Sequence, residues 1–294
     1  YNALTAGGFT YKEVSAGDAS GPHDLVAIKN YEAKYMQLRF NALDPSRTGE
    51  LVALLESQPF VEDVLERAEL DAMGVHPQFA DLLVVPAAGY SFNPATVGAK
   101  RQDAIETPTR SMFGVISGPK IEALGKVGNV MKATSIVDLA PTIAELLGVA
   151  APANNEGVSL LTAETHANDN YVVYVNLDGF AYHWYELAKS NVPLPNFDEL
   201  LANGVLFTDA GTGIPSITGA MQQAVVSGAW PTDTGNSYRY YDKELNQVIQ
   251  YDRQNELENI AEAAVARGIA IAGVNAWYFQ NKGMVAGDPK KPYI

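Results

Sequence analysis

Apolar residues gather in short runs with little alternation at Asp24–Ile28, Asp81–Val85, Phe113–Ile116, Tyr171–Val175 and Ile269–Val274. A strand wetted on one face alternates, whereas an unbroken apolar run predicts a strand covered on both faces, the habit of parallel sheets. Between the runs, apolar positions recur at helical spacing: Gly49–Glu56 leading into Val61–Leu70, then Ser135–Leu147 and Asn255–Arg267. Leu194–Leu201 reads as a helix entry, Gly204–Ala210 as a short strand, and Gln223–Ser227 as a helix closed by Gly228 and Pro231. Strand and helix alternate throughout, which predicts a doubly wound, mostly parallel α/β sheet with helices on both faces. The polar stretch Leu161–Asn170 lacks apolar periodicity and serves as the expected linker, dividing the chain into 1–160 and 171–294.

Composition narrows the chemistry. With 47% hydrophobic residues over 294 positions the chain can fill a sizeable core. A formal charge of −14 repels nucleic-acid backbones and anionic membranes, so a nucleic-acid polymer is not an expected partner. Such a charge still permits cleavage of anionic esters where bound divalent ions reverse the local field. The chain has no Cys, so thiol nucleophiles, disulfides and Cys-ligated zinc are excluded; any metal site must use Asp, Glu, His and hydroxyl oxygens. No apolar run reaches the roughly 18 residues of a membrane span, and membrane insertion is not expected. The first residues, Tyr1 to Thr10, do not read as a signal peptide, and both ends of the chain look unnatural.

Two places carry candidate chemistry. Asp178-Gly179 follows the run Tyr171–Val175, at the carboxyl end of an expected strand, where α/β sheets place ligand sites. Read alone, Asp178 serves equally as the cap of the next helix. Ser216 and Thr218 precede a helix whose N-terminal N–H groups and dipole suit a phosphate, although on this motif alone either reads first as an ordinary N-cap.

Taken together, the segments resemble the nucleotide pyrophosphatase/phosphodiesterase and phosphonoacetate hydrolase branch of the alkaline-phosphatase superfamily. The resemblance rests on Asp178-Gly179, Pro195-Asn196, Gly204–Thr208, Thr218 and Ser227-Gly228-Ala229-Trp230-Pro231. It implies that Thr218 is the nucleophile and a metal ligand, and that Asp178 is a metal ligand. Two divalent ions, zinc or manganese, would complete the site, and the substrate would be a small phosphoric diester or related phosphonate ester. Many relatives carry Asn three residues after the nucleophile, where this chain has Met221; Gln222 and Asn236 are the polar candidates for that substrate-binding role. The expected location is extracellular or the cell envelope.

The first half, through Leu54–Gly74, Asp81–Phe92, Arg110–Gly118 and Ser135–Gly148, is similar to the C-terminal half of the same superfamily, so the halves stand in reversed order. Either the fold is permuted, or the chain is a slice across two tandem domains; the linker at the junction favours the slice. The D-x-x-x-H and D-H-G motifs that complete the family's metal site do not occur in this sequence. His23, His76 and His166 lack ligand spacing, and His183 follows Asp178 by five residues. A chain so lacking is expected to be inactive alone, and a silent binding domain is the alternative. Tyr238, Tyr240, Tyr241, Trp277 and Tyr278 read either as core or as a base-stacking platform.

Overall fold

A computed structural model of the chain describes residues 1–28, 35–90, 92, 111–118, 121, 128–161, 171–251, 255–279 and 282–284. Most of the expected linker and His166 lie outside the described residues. What is described is a mixed α/β protein.

The first half begins with α1 (Asn2–Ala6), β1 (Tyr11–Val14), β2 (Gly17–Asp18), β3 (Leu25–Ile28) and β4 (Met36–Phe40). It continues with α2 (Thr48–Glu56), β5 (Val61–Glu66), α3 (Arg67–Ala72) and β6 (Leu82–Pro86). Strands β1-β3-β4-β6-β5 form one sheet in that order. Leu25, Ala27, Leu82 and Val84 point to one face, packed by Leu4, Leu51 and Leu55 of the two helices. Leu83 and Val85 point to the other face with Leu70 and Phe79, and Val26 and Ile28 meet Tyr241 and Val248. Both faces are therefore dry, and this is why β3 and β6 read as unbroken apolar runs. The pairing nevertheless departs from the expected parallel sheet: β1 and β3 are parallel, but β3–β4, β4–β6 and β6–β5 are antiparallel. An apolar run records that both faces are covered and carries no information on strand direction.

Val61–Leu70 also departs from its helical reading. Val61, Val64 and Leu65 are buried in β5 beside β6, and a register shift between Val61 and Asp63 breaks the period-two alternation that would have marked a strand. The helix starts only at Arg67, where Glu66 and Glu69 form a reciprocal capping box.

Further along come β7 (Ser111–Ser117), β8 (Gly128–Ser135), a 3-10 turn at Ile136–Asp138 and α4 (Leu139–Leu147). Then follow α5 (Tyr182–Asn191), α6 (Pro195–Ala202), β9 (Gly204–Gly211), α7 (Thr218–Ser227) and α8 (Pro231–Thr234). Last are β10 (Arg239–Asp242), β11 (Gln247–Gln250) and α9 (Ile260–Ala266). Strand β9 is central in a second sheet, antiparallel to β7 and parallel to β8. A third sheet runs β10-β11-β2 and ties residues of the second half to the first. The expected strands Tyr171–Val175 and Ile269–Val274 are not in any sheet of the described residues. Tyr171, Val173 and Val175 face solvent, at 99%, 83% and 68% exposure, while Tyr174 is partly buried against the core that includes Ala220 and Ala224.

The core that positions the site surrounds α7. Every residue from Gly219 to Ser227 is buried, and none carries a charge. Ala220, Ala224 and Val226 pack with Ile136 and Val137 of the 3-10 turn, with Ala140 at the start of α4 and with Ile260 and Ala261 of α9. Small alanines let these helices approach closely.

Candidate active site

Strand β9 leads through Thr212–Ile217, which includes a cis Ile214–Pro215 peptide, into the N-terminus of α7. Ile217 holds the N-cap position and α7 has no side-chain cap. Thr218 is thus the first helical residue, and its hydroxyl is directed elsewhere: Oγ1 donates to Asp178 at 3.3 Å from each carboxylate oxygen. The N–H groups of Thr218 and Gly219 have no hydrogen-bond partner among the described residues, as at any uncapped helix start.

Asp178 is carried by a turn that Gly179 makes possible, with φ 71°. A side chain at that φ would strain the backbone, so glycine after the aspartate is a geometric need. The following helix, α5, takes Ala181 as N-cap without a side-chain bond, so Asp178 caps nothing. Both capping readings therefore give way to a carboxylate–hydroxyl pair formed by residues forty positions apart.

The pair opens on a cavity of about 1360 Å³ whose lining includes Ser216, Met221 and Gln222 from the loop and α7, and Asn176 and Asn196 from the segments around Asp178. Gln222 stands one turn beyond Thr218, on the same face of α7. It is 9% exposed, and its Oε1 has no partner among the described residues. Asn236 is not brought to the pair. It is fully buried in the turn after α8, its Oδ1 accepts the Tyr238 N–H at 3.0 Å, and it does not line the cavity. Its amide completes a local turn, a use that its spacing from Thr218 could not reveal.

The histidines are spread out. His23 is buried and its Nε2 contacts the Ala19 carbonyl at 2.9 Å. His76 Nδ1 accepts the Gln78 N–H, and burial, aided by the charges of Arg67 and Arg39, holds its pKa below the ordinary range. His183 lies on α5 with its ring against Trp184 and does not line the cavity. Tyr240, Tyr241 and Tyr278 are core, at 7%, 1% and 7% exposure, and none lines the cavity. Burial raises the Tyr278 hydroxyl above its ordinary pKa, with Asn176 partly offsetting it.

The aromatic wall of the cavity escaped the sequence reading. Phe113 of β7 packs edge-on to Phe180 and Phe197, and tilted against Tyr185. These residues come from β7, the turn before α5, α5 itself and α6, and no single periodicity joins them.

A carboxylate thus stands beside a hydroxyl at the open N-terminus of a buried helix. Residues 172–286 match the family model of type I phosphodiesterase / nucleotide pyrophosphatase, a family of the alkaline-phosphatase superfamily. The matched stretch contains Asp178, Thr218 and Gln222. No curated protein and no solved structure gives a significant match to the chain.

Proposed function

We propose that residues 171–294 form the nucleophile-bearing part of a phosphoester hydrolase, with Thr218 as the attacking group. The observation that carries this reading is the convergence of Thr218 on Asp178 at the N-terminus of α7, inside the stretch that matches the phosphodiesterase family. With its proton directed at Asp178, Thr218 Oγ1 can present a lone pair to a phosphorus atom in the cavity. Attack forms the Oγ1–P bond as the ester P–O bond breaks and the alcohol leaves; water then hydrolyses the phosphothreonine. The first-turn N–H groups and the dipole of α7 favour the anionic phosphoryl oxygens.

Members of the matched family are normally metal-dependent. Asp178 and Thr218 bring two oxygen-bearing side chains together, but among the described residues no group of three or more His, Cys, Asp or Glu could hold an ion. A zinc ion takes about four ligands, so the described residues do not fit a two-ion centre. That incompleteness favours a second reading, a domain that retains the fold and binds a ligand without turnover. The doubly wound sheet and the reversed order of the two halves belong to the same proposal, as does an extracellular or envelope location.

Hydrolysis of bis-p-nitrophenyl phosphate with added zinc or manganese separates the readings. Turnover that collapses in Thr218→Ala and survives in Ser216→Ala supports the hydrolase. Activity retained by Thr218→Ala and lost in Ser216→Ala would move the nucleophile by two residues. No turnover and no retained metal would leave the binding domain.

A further inference from the structure

The loop that leads into Thr218 is rooted in the first half of the chain. Ile214, four residues before Thr218, is 2% exposed and packs with Tyr35, Leu65, Leu70, Val75, Phe79 and Leu83. Among the described residues it is the one member of that cluster from the second half. A second contact secures the same loop. The Trp230 ring lies between Gly213, next to Ile214, and Gly74, just after α3: a Cβ built on Gly213 would stand 2.7 Å from Trp230 Cζ3, and one on Gly74 3.5 Å from Cγ. Thr232 Oγ1 donates to the Gly74 carbonyl at 2.7 Å, which draws the start of α8 and Trp230 against the first half.

The seat itself is braced by charge. Arg67 donates to the carbonyls of Val75 and Ala80 at 2.8 and 2.7 Å, and Arg39 Nη1 donates to the Pro77 carbonyl at 2.8 Å and to Asp81 at 2.9 Å. Two planar guanidinium forks thus fix the backbone that carries Val75 and Phe79. The other end of the loop has weaker ties. Burial fixes α7 from Gly219 onward, but Ile217 gives it no side-chain cap, and the bonds from Thr218 to Asp178 are long, at 3.3 Å.

We infer that the first half is the seat of the nucleophile loop, with Ile214 and Trp230 as positioning residues that hold Thr218 at Asp178. This rests on the reading of Thr218 as the attacking group. It gives residues 35–85, outside the stretch that matches the phosphodiesterase family, a part in the site.

The test needs no turnover. The chain has no Cys, so Thr218→Cys supplies a single thiol, at a half-buried position that lines the cavity. Its alkylation in the full chain by neutral iodoacetamide at pH 7 follows the thiolate fraction, which a neighbouring carboxylate suppresses. One unit charge at about 4 Å changes that fraction about fivefold even in a water-like surrounding, so adding Asp178→Asn should raise the labelling rate by about threefold or more. That factor reports how closely positions 178 and 218 approach. With Ile214→Ala it should fall toward one, and Ile214→Val, which keeps most of the side chain in its seat, should restore most of it. Trp230→Phe, which withdraws the ring from Gly213, should also lower the factor and carries the test if Ile214→Ala does not fold. Leu51→Ala is the control: Leu51 is fully buried on the opposite face of the first sheet, so the melting temperature should fall while the factor stays the same. A factor of about threefold that neither Ile214→Ala nor Trp230→Phe lowers, or one that Leu51→Ala lowers as much, would overturn the seat and leave Thr218 and Asp178 as a pair. A factor of about one with Ile214 and Trp230 in place would mean that the pair itself is not formed, and would overturn both readings.

Discussion

Gly228 ends α7 in the left-handed region, at φ 72° and ψ 21°. Its carbonyl accepts the Glu156 and Gly157 N–H groups, which fastens the end of α7 opposite Thr218 to the chain that follows α4. A Cβ at this position would stand 2.2 Å from Asn155 Oδ1 and 3.2 Å from the Val137 carbonyl oxygen. Gly228→Ala therefore carries two costs. The left-handed backbone costs an alanine about 1–2 kcal/mol. Asn155 must also swing away and give up its 2.8 Å bond to the Gly157 carbonyl, about 0.5–1.5 kcal/mol more. The total is about 2–4 kcal/mol once residual crowding against Val137 is counted. For 294 residues the entropy of unfolding is about 0.6 kcal/mol/K, so the melting temperature should fall by about 3–6 °C in calorimetry. The double variant with Asn155→Ala isolates the steric share: in that background the glycine substitution should cost only the backbone part. A loss that is the same in both backgrounds, or a melting temperature within about 1 °C of the parent, would refute the reasoning.

Thr218→Ala should leave the melting temperature within about 0.5 °C of the parent, because it removes a long bond to an exposed carboxylate and no cap; a fall of about 1–3 °C, matching the about 0.5–2 kcal/mol of a lost N-cap, would restore the capping role. His76 is held neutral by burial and by the Arg67 and Arg39 charges, and protonating Nδ1 would turn its bond from Gln78 N–H into a donor–donor clash. Because the unfolded chain then binds more protons, stability should drop as pH falls through about 6.5, and His76→Asn should flatten that part of a urea-melt series between pH 5 and 8. Zinc added to the chain should bind weakly and be lost on dialysis, since Asp178 and Thr218 alone do not fill a coordination shell; stoichiometric zinc retained in elemental analysis would count against this.

Much of the site was legible because its signals are local. Asp178-Gly179 marks a turn needing positive φ, and Ser227-Gly228 marks a left-handed helix end. The strand at 204–211 and the closing part of the helix, 223–227, follow from short-range pattern, whereas the start of that helix at Thr218, five residues before the expected Gln223, does not. Pairing was less legible. Tyr171–Val175 has strand composition, yet a strand exists only with a hydrogen-bonded neighbour, and none is present among the described residues. Asn236 and Gln222 have the same side-chain amide, and only their surroundings separate a turn-former from a cavity wall.

By itself, then, the chain determined the elements whose causes lie within a few residues: apolar runs, caps, glycine turns, and the identity of the groups able to do chemistry. Tertiary structure decided strand direction, because burial on both faces looks the same in parallel and antiparallel sheets. It also decided that Thr218 and Asp178 meet, that Gln222 faces the cavity while Asn236 does not, and that Phe113, Phe180 and Phe197 share one wall. Those facts depend on how distant segments pack, and no spacing along the chain encodes them.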